Sequence, residues 1–154
     1  EAIKRDGVPY DLISKSLPTV EGAVNDILAQ IVDFSIVFNM DGKQIDTHIV
    51  YDDDRVWPLE LSSGMERFIS SLAIRVGLMN VSNLPRSNFL AIDEGWGTMD
   101  SENLNSVAQL FQYLKSEFQF SLIVSHIETM RDFVDTLLEI KKVNGSSSVR
   151  FSRD

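Results

Sequence analysis

Two short apolar runs, Phe89-Leu90-Ala91-Ile92 and Phe120-Ser121-Leu122-Ile123-Val124, bracket a segment of helical spacing, and that order leaves the chain little choice of topology. Between them Leu104, Val107, Ala108, Phe111 and Leu114 recur at three- and four-residue intervals, the stripe of a helix with one apolar face. Strand, helix, strand in succession predicts a right-handed crossover between two parallel strands. The runs hardly alternate in polarity, which suits strands covered on both faces. Such a crossover brings both strand ends to one edge of the sheet, the edge at which open α/β sheets bind ligands. Asp93-Glu94 closes the first run and Ser125-His126 closes the second.

The residues at that edge have usable chemistry. Of two adjacent carboxylates, one can reach a divalent cation through water while the other orients an attacking water. The alternative is a core strand that leaves the sheet through an acidic, glycine-rich turn, Gly95-Trp96-Gly97. His126 can donate a hydrogen bond to an anionic oxygen, or can simply cap a strand-to-helix turn. Leu61-Ser62-Ser63-Gly64 opens the preceding helix, whose inward positions are Phe68, Ile69, Leu72, Ala73, Val76 and Met79. Small residues there let an anion approach the bare amides at the positive helix end, with the Ser62 hydroxyl as a further donor. On spacing alone an ordinary serine N-cap is the better reading, because Ser-Ser-Gly before a helix is common. Asp100 stands where the crossover helix begins, a cap by position, with Glu102 favourable in the first turn.

Upstream, Val8 to Leu17 reads as a short helix. Pro18 opens a second one, where its missing N–H costs little, and Val20, Ala23, Val24, Ile27, Leu28, Ile31 and Val32 form its stripe. The period then changes to two: Phe34, Ile36, Phe38 and Met40, the turn pair Asp41-Gly42, then Ile45, Thr47, Ile49 and Tyr51. His48 falls on the solvent face of that hairpin, and Asp52-Asp53-Asp54 reads as a solvated turn. Downstream, a short helix over 128–133 precedes a hairpin, 137–143 with 148–152, around Asn144-Gly145.

The 154 residues suffice for one domain with a core. No run approaches the length of a membrane span, and there is no signal-peptide pattern. The absence of cysteine rules out a disulfide scaffold or a thiolate metal site and fits a reducing compartment. A net charge of −9 repels phosphate backbones, so nucleic-acid affinity must be local or come from a partner. Lys141, Lys142, Arg150 and Arg153 in the last hairpin are a minor DNA contact or, more simply, a solvated edge.

The motif order Leu61-Ser62-Ser63-Gly64, Phe89 to Glu94, Gly97 to Asp100 and His126 resembles the C-terminal half of a P-loop, ABC-type ATPase head. In that family's terms Ser62 and Gly64, with Ser63 between them, match the signature motif, and Phe89 to Glu94 matches the Walker B strand. Gly97, Thr98 and Asp100 match the D-loop, and His126 matches the switch histidine. Asp93-Glu94-Gly95-Trp96-Gly97-Thr98-Met99-Asp100 is most similar to the Asp-Glu-Gly-Phe-Gly-(Thr/Ser)-Leu-Asp of bacterial double-strand-DNA exonuclease large subunits and of viral recombination-endonuclease subunits. Residues 6–10 and 17–28 resemble the stretch where that family's coiled coil re-enters its head. One departure stands out: Met65 occupies the position of a signature Glu or Gln, with Glu66 next.

The resemblance implies an α/β fold with a mostly parallel sheet flanked by helices and antiparallel hairpins. Residues 1–18 would end a coiled coil and 19–154 would form the C-terminal lobe. No Gly-x-x-x-x-Gly-Lys-(Ser/Thr) occurs in the chain, so the Walker A lobe is expected elsewhere, with this chain a piece of something longer. Implied cofactors are ATP and Mg²⁺. Implied roles are Mg²⁺ support by Asp93, water activation by Glu94, a γ-phosphate contact by His126 and a trans-nucleotide contact by Ser62, Ser63 and Gly64. Gly97, Thr98 and Asp100 would lie at the seam of a head dimer. Implied partners are the Walker A lobe, a second identical head, a metallophosphoesterase-type nuclease and, through the complex, DNA, without a membrane. A cohesin- or condensin-like chromosome-organising head and a non-catalytic dimerisation lobe are the competing readings.

Overall fold

The computed structural model describes residues 8–41, 44–52, 55–93, 96–97 and 104–153. The expected parallel crossover is present: β4 (Phe89–Asp93) pairs with β5 (Phe120–Val124) in parallel, in the register Phe89↔Phe120 to Asp93↔Val124. Helix α3 (Leu104–Glu117) joins them and buries Val107, Leu110, Phe111, Tyr113 and Leu114. Among the described strands the parallel pairing is confined to these two; the others form antiparallel sheets, β1-β2-β3 and β6-β7.

Helix α1 (Val8–Leu28) runs unbroken through Pro18, so the expected division into two helices at that residue is wrong. An internal proline deletes one i→i−4 bond and crowds the preceding turn. Here it lies at an exposed position, where water can satisfy the freed carbonyl. The apolar stripe beyond it is as expected, with Val24, Ile27, Leu28 and Ile31 buried. Ile31 and Val32 extend it past the helix end through amide bonds to the Leu28 carbonyl.

β1 (Ser35–Asp41) and β2 (Gln44–Val50) form the expected hairpin, with Ile36 opposite Ile49 and both fully buried. Gly42 of the turn signal lies outside the described residues. A third strand, β3 (Val56–Pro58), pairs antiparallel with β2, Trp57 opposite Ile49, and was not foreseen. The free edge of β1 is closed by α1. Asn25 Nδ2 donates to the Ile36 carbonyl at 2.9 Å, and its Oδ1 accepts from the Ile36 amide at 2.8 Å. One helical turn earlier, Glu21 Oε2 accepts from the Phe38 amide at 2.7 Å. Four helical residues rise about 6 Å and two strand residues about 6.7 Å, so an i, i+4 pair on a helix can meet an i, i+2 pair on a strand.

A 3-10 turn over Leu59–Leu61 leads into α2 (Gly64–Val81). Helices α1 and α2 cross closely at Gly77, where a Cβ would lie 2.7 Å from Val24 Cγ2. After β5 a 3-10 segment, Glu128–Phe133, precedes the hairpin of β6 (Thr136–Val143) and β7 (Ser146–Arg153). Asn144 (φ 50°) and Gly145 (φ 81°) make its two-residue turn, the left-handed pair that such hairpins require.

Candidate functional site

The parallel register fixes the geometry of the candidate site. Asp93 is the last residue of β4 and lies opposite Val124, so Ser125-His126 leaves β5 at the edge from which Asp93 emerges. Asp93 and His126 are both exposed, and neither side chain has a hydrogen-bond or ion-pair partner among the described residues. Ser125 Oγ accepts from the Ile127 amide at 3.1 Å and shapes the turn that carries His126. Glu94, Thr98 and Asp100 lie outside the described residues. Gly97 sits in an exposed turn, and a Cβ built on it would meet nothing within 4 Å. Nothing among the described residues therefore demands a glycine there.

At the start of α2 the two serines divide their work differently from expectation. Ser62 is 8% exposed and its hydroxyl donates to the Leu59 carbonyl at 2.7 Å. Its proton is thus committed to the 3-10 turn, and Ser62 can offer a donor outward only by giving up that bond. Ser63 is the N-cap. Its amide donates to Glu66 Oε2 at 2.6 Å, and its Oγ accepts from the Glu66 amide at 3.3 Å, a reciprocal capping box. The amides of Gly64 and Met65 are left without an acceptor among the described residues, and they are what this helix end offers an anion.

Met65 is 2% exposed and belongs to the core, so a polar side chain here would have to be buried. Its neighbour does not take over freely. The Glu66 carboxylate is held by the Ser63 amide and also accepts from the Tyr51 hydroxyl. A carboxylate fixed at the positive end of the helix offsets part of the field that would attract an anion.

A single carboxylate at a strand end suits Mg²⁺, which keeps most of its water and takes one or two protein carboxylates. No group of three or more His, Cys, Asp or Glu side chains converges on a metal position among the described residues. Asp93, without a partner among the described residues, fits such a minimal role. For ATP the fit is partial: the α2 amides and the β4–β5 edge can meet phosphate, but no loop of the Gly-x-x-x-x-Gly-Lys-(Ser/Thr) kind is available to cradle it.

The expectation that β4 and β5 are covered on both faces fails within this chain. Ile92 is buried, and Leu90 and Ile123 pack against the core. On the other face Phe89, Phe120, Leu122 and Val124 are 43–58% exposed. The Phe89 and Phe120 rings stack at 5.5 Å along this bare row. The free edge of β4 lines a groove of about 400 Å³ against Phe68, Leu72 and Met79 of α2. The last hairpin repeats the pattern. Glu139, Lys141 and Arg150 share one face, with Lys141 and Arg131 ion-paired to Glu139, whereas Leu138, Ile140, Val149 and Phe151 form an exposed apolar row on the other. These rows are what the residue-level reading missed; the charge of the hairpin was legible, but not the face opposite it.

No family model matches the chain. It is 35% identical over 160 residues to the uncharacterized protein R555 of Acanthamoeba polyphaga mimivirus, a match covering 94% of this chain and 12% of that protein. It is 30% identical over 124 residues to one of the subunits of the nuclease SbcCD of Staphylococcus aureus strain JH9, covering 78% of this chain and 12% of that protein. The chain thus spans about one eighth of the length of these relatives. Among solved structures it superposes on the SMC head domain from Thermotoga maritima with a TM-score of 0.63 at 23% identity, over 95% of this chain and 52% of that one. A second, described under ATP-driven dimerization and DNA stimulated activation of SMC ATPases, gives 0.73 at 16% identity, over 92% and 88%. No helix among the described residues is long and apolar enough to cross a membrane. In sequence and in fold the chain is a relative of the C-terminal lobe of ABC-type ATPase heads, in the branch that holds double-strand-break-repair and SMC proteins.

Proposed function

We propose that this chain is the signature and Walker B half of an ATP-hydrolysing head that dimerises on ATP and gates DNA end processing in a repair or recombination nuclease complex. The observation that carries the proposal is the parallel β4–β5 pair, with Asp93 and His126 leaving one edge and a bare apolar row on one face. A catalytic edge beside uncovered sheet is what half of a composite site looks like.

In this reading Asp93 holds Mg²⁺ through water, and the ion, when bound, neutralises charge that develops on the transferring phosphate. Glu94 orients or deprotonates the attacking water, and His126 holds the γ-phosphate. Ser63 shapes the α2 start so that the Gly64 and Met65 amides face ATP on a second, identical head, with Ser62 joining if its bond to Leu59 is exchanged. Gly97, Thr98 and Asp100 lie at the seam, and the steric freedom at Gly97 supports a close approach from outside the chain. The Walker A lobe covers the outer face of β4–β5 and the apolar face of β6–β7. Residues 1–18 lead in from a coiled coil and 19–154 form the lobe.

Sequence similarity to a component of the nuclease SbcCD favours a metallophosphoesterase-type nuclease partner over a cohesin- or condensin-like role. The second reading keeps one argument, the superposition on SMC heads. A pull-down from the source cell separates them, a nuclease subunit supporting the first and a kleisin-type bridging subunit overturning it. The half-site itself is tested by ATP binding. The chain alone should bind Mg-ATP at least about a hundredfold more weakly than the chain with its Walker A lobe. Equal affinity would sink the reading.

A further inference from the structure

The start of α2, the carboxylate strand and the segment after His126 are far apart in sequence, yet one row of aromatic rings touches all three. Trp96, three residues beyond Asp93, is 1% exposed. Its indole lies 4.7 Å from the ring of Phe68, one turn into α2, at an interplanar angle of 58°. On its other side Phe111 of α3 lies at 5.5 Å and 35°. Phe111 in turn stacks at 5.5 Å and 26° on Phe133, at the end of the 3-10 segment that follows His126. Among the described residues the buried Trp96 Nε1–H has no hydrogen-bond partner, and the side chain's contacts there are to rings.

We propose that Trp96 is a positioning residue, the central rung of a Phe68–Trp96–Phe111–Phe133 ladder that sets the α2 amides, Asp93 and His126 in one frame. The proposal rests on the ATPase reading above. Aromatic pairs at these separations are directional as well as apolar, so they fix relative orientation and not only distance. None of the four rings is itself assigned to nucleotide, so loss of the ladder should misplace the reacting groups and leave binding almost intact. A displacement of about 1 Å costs up to about a hundredfold in rate.

The test uses the full-length protein with its Walker A lobe and compares Trp96→Phe, Trp96→Leu, Phe68→Leu and the double variant Trp96→Leu/Phe68→Leu. Trp96→Phe keeps a ring in the ladder and should hold kcat within about threefold of wild type, whereas Trp96→Leu and Phe68→Leu should each lower kcat by about tenfold or more with KM for ATP within about threefold. The double variant should be no slower than the slower single variant by more than about twofold, because both break one ladder. Unchanged kcat in Trp96→Leu, a KM rise that accounts for the loss, or multiplying defects in the double variant would each overturn the proposal. Phe68 is only partly buried, so Phe68→Leu carries the same test where Trp96→Leu does not fold. Glu94→Gln separates the two layers: normal turnover there removes the ATPase reading, whereas an inactive Glu94→Gln beside a normal Trp96→Leu removes only the ladder.

Discussion

Asn25 is the residue whose removal says most about how this fold is held. Its amide satisfies both backbone groups of Ile36, a strand residue with no exposed surface, and so stands in for a neighbouring strand. Asn25→Ala leaves one buried N–H and one buried C=O without partners at about 1–3 kcal/mol each, and alanine's better helix propensity returns about 0.6 kcal/mol. The net expectation is a loss of roughly 1.5–5.5 kcal/mol, a large share of the 5–15 kcal/mol typical of a domain. Asn25→Asp keeps an acceptor for the Ile36 amide but sets a carboxylate against the Ile36 carbonyl, so it should also destabilise. Urea unfolding followed by far-UV circular dichroism reads both, and the m-value should not change if only the native state is affected. An Asn25→Ala protein within about 0.5 kcal/mol of wild type would mean that water replaces the side chain easily, and the edge-closing role would be refuted.

Three further outcomes follow from the geometry. Gly77→Ala places a Cβ 2.7 Å from Val24 Cγ2 and 3.4 Å from the Val24 backbone, an overpacking cost of about 1–3 kcal/mol against a helix-propensity gain of about 1. Val24→Ala should therefore cost less in the Gly77→Ala background than in wild type, and additive losses in a double-mutant cycle would contradict the close crossing. Leu122→Glu, on the bare face of β4–β5, should weaken binding of the Walker A lobe by about 2 kcal/mol or more, roughly thirtyfold by calorimetry. Leu84→Glu, 76% exposed in a connecting loop, is the control that should not. Finally, burial pushes the Tyr113 phenol up to about 12, with Glu117 adding to the shift. The folded value exceeds the unfolded one near 10, so this contribution is complete below about pH 10 and disappears as pH rises through about 12. Wild type should lose up to about 1.4 kcal/mol per pH unit more than Tyr113→Phe within that window. Parallel pH profiles would show that Tyr113 ionises normally.

What could be read from residues alone was whatever periodicity or turn chemistry dictates. The β4–α3–β5 crossover, the burial of Ile69, Leu72, Ala73 and Val76 on α2 and the Asn144-Gly145 turn all follow from local pattern. Pro18 was misread because a proline at the start of a helix and one tolerated at an exposed position inside it share the same flanking stripe. β3 escaped notice because three residues, Val56-Trp57-Pro58, cannot show an alternation; only their pairing with β2 makes them a strand. Asn25 and Glu21 look like an ordinary polar helix face until β1 is set beside them. The choice between Ser62 and Ser63 as cap depends on the 3-10 turn before them, which spacing does not reveal. The bare rows of β4–β5 and β6–β7 were hidden for a different reason: an apolar strand signals that it is covered, not which chain covers it.

Asp93 and the switch-like His126 share one sheet edge, and the account stands or falls on whether Glu94, the next residue in the chain after Asp93, activates water. The direct measurement is single-turnover ATP hydrolysis by the full-length protein, wild type against Glu94→Gln, with the oligomeric state followed by light scattering. The account predicts hydrolysis slowed by about a hundredfold to ten-thousandfold, with an ATP-bound head dimer that persists in place of dissociating. Undiminished hydrolysis in Glu94→Gln, with no accumulated dimer, would contradict it.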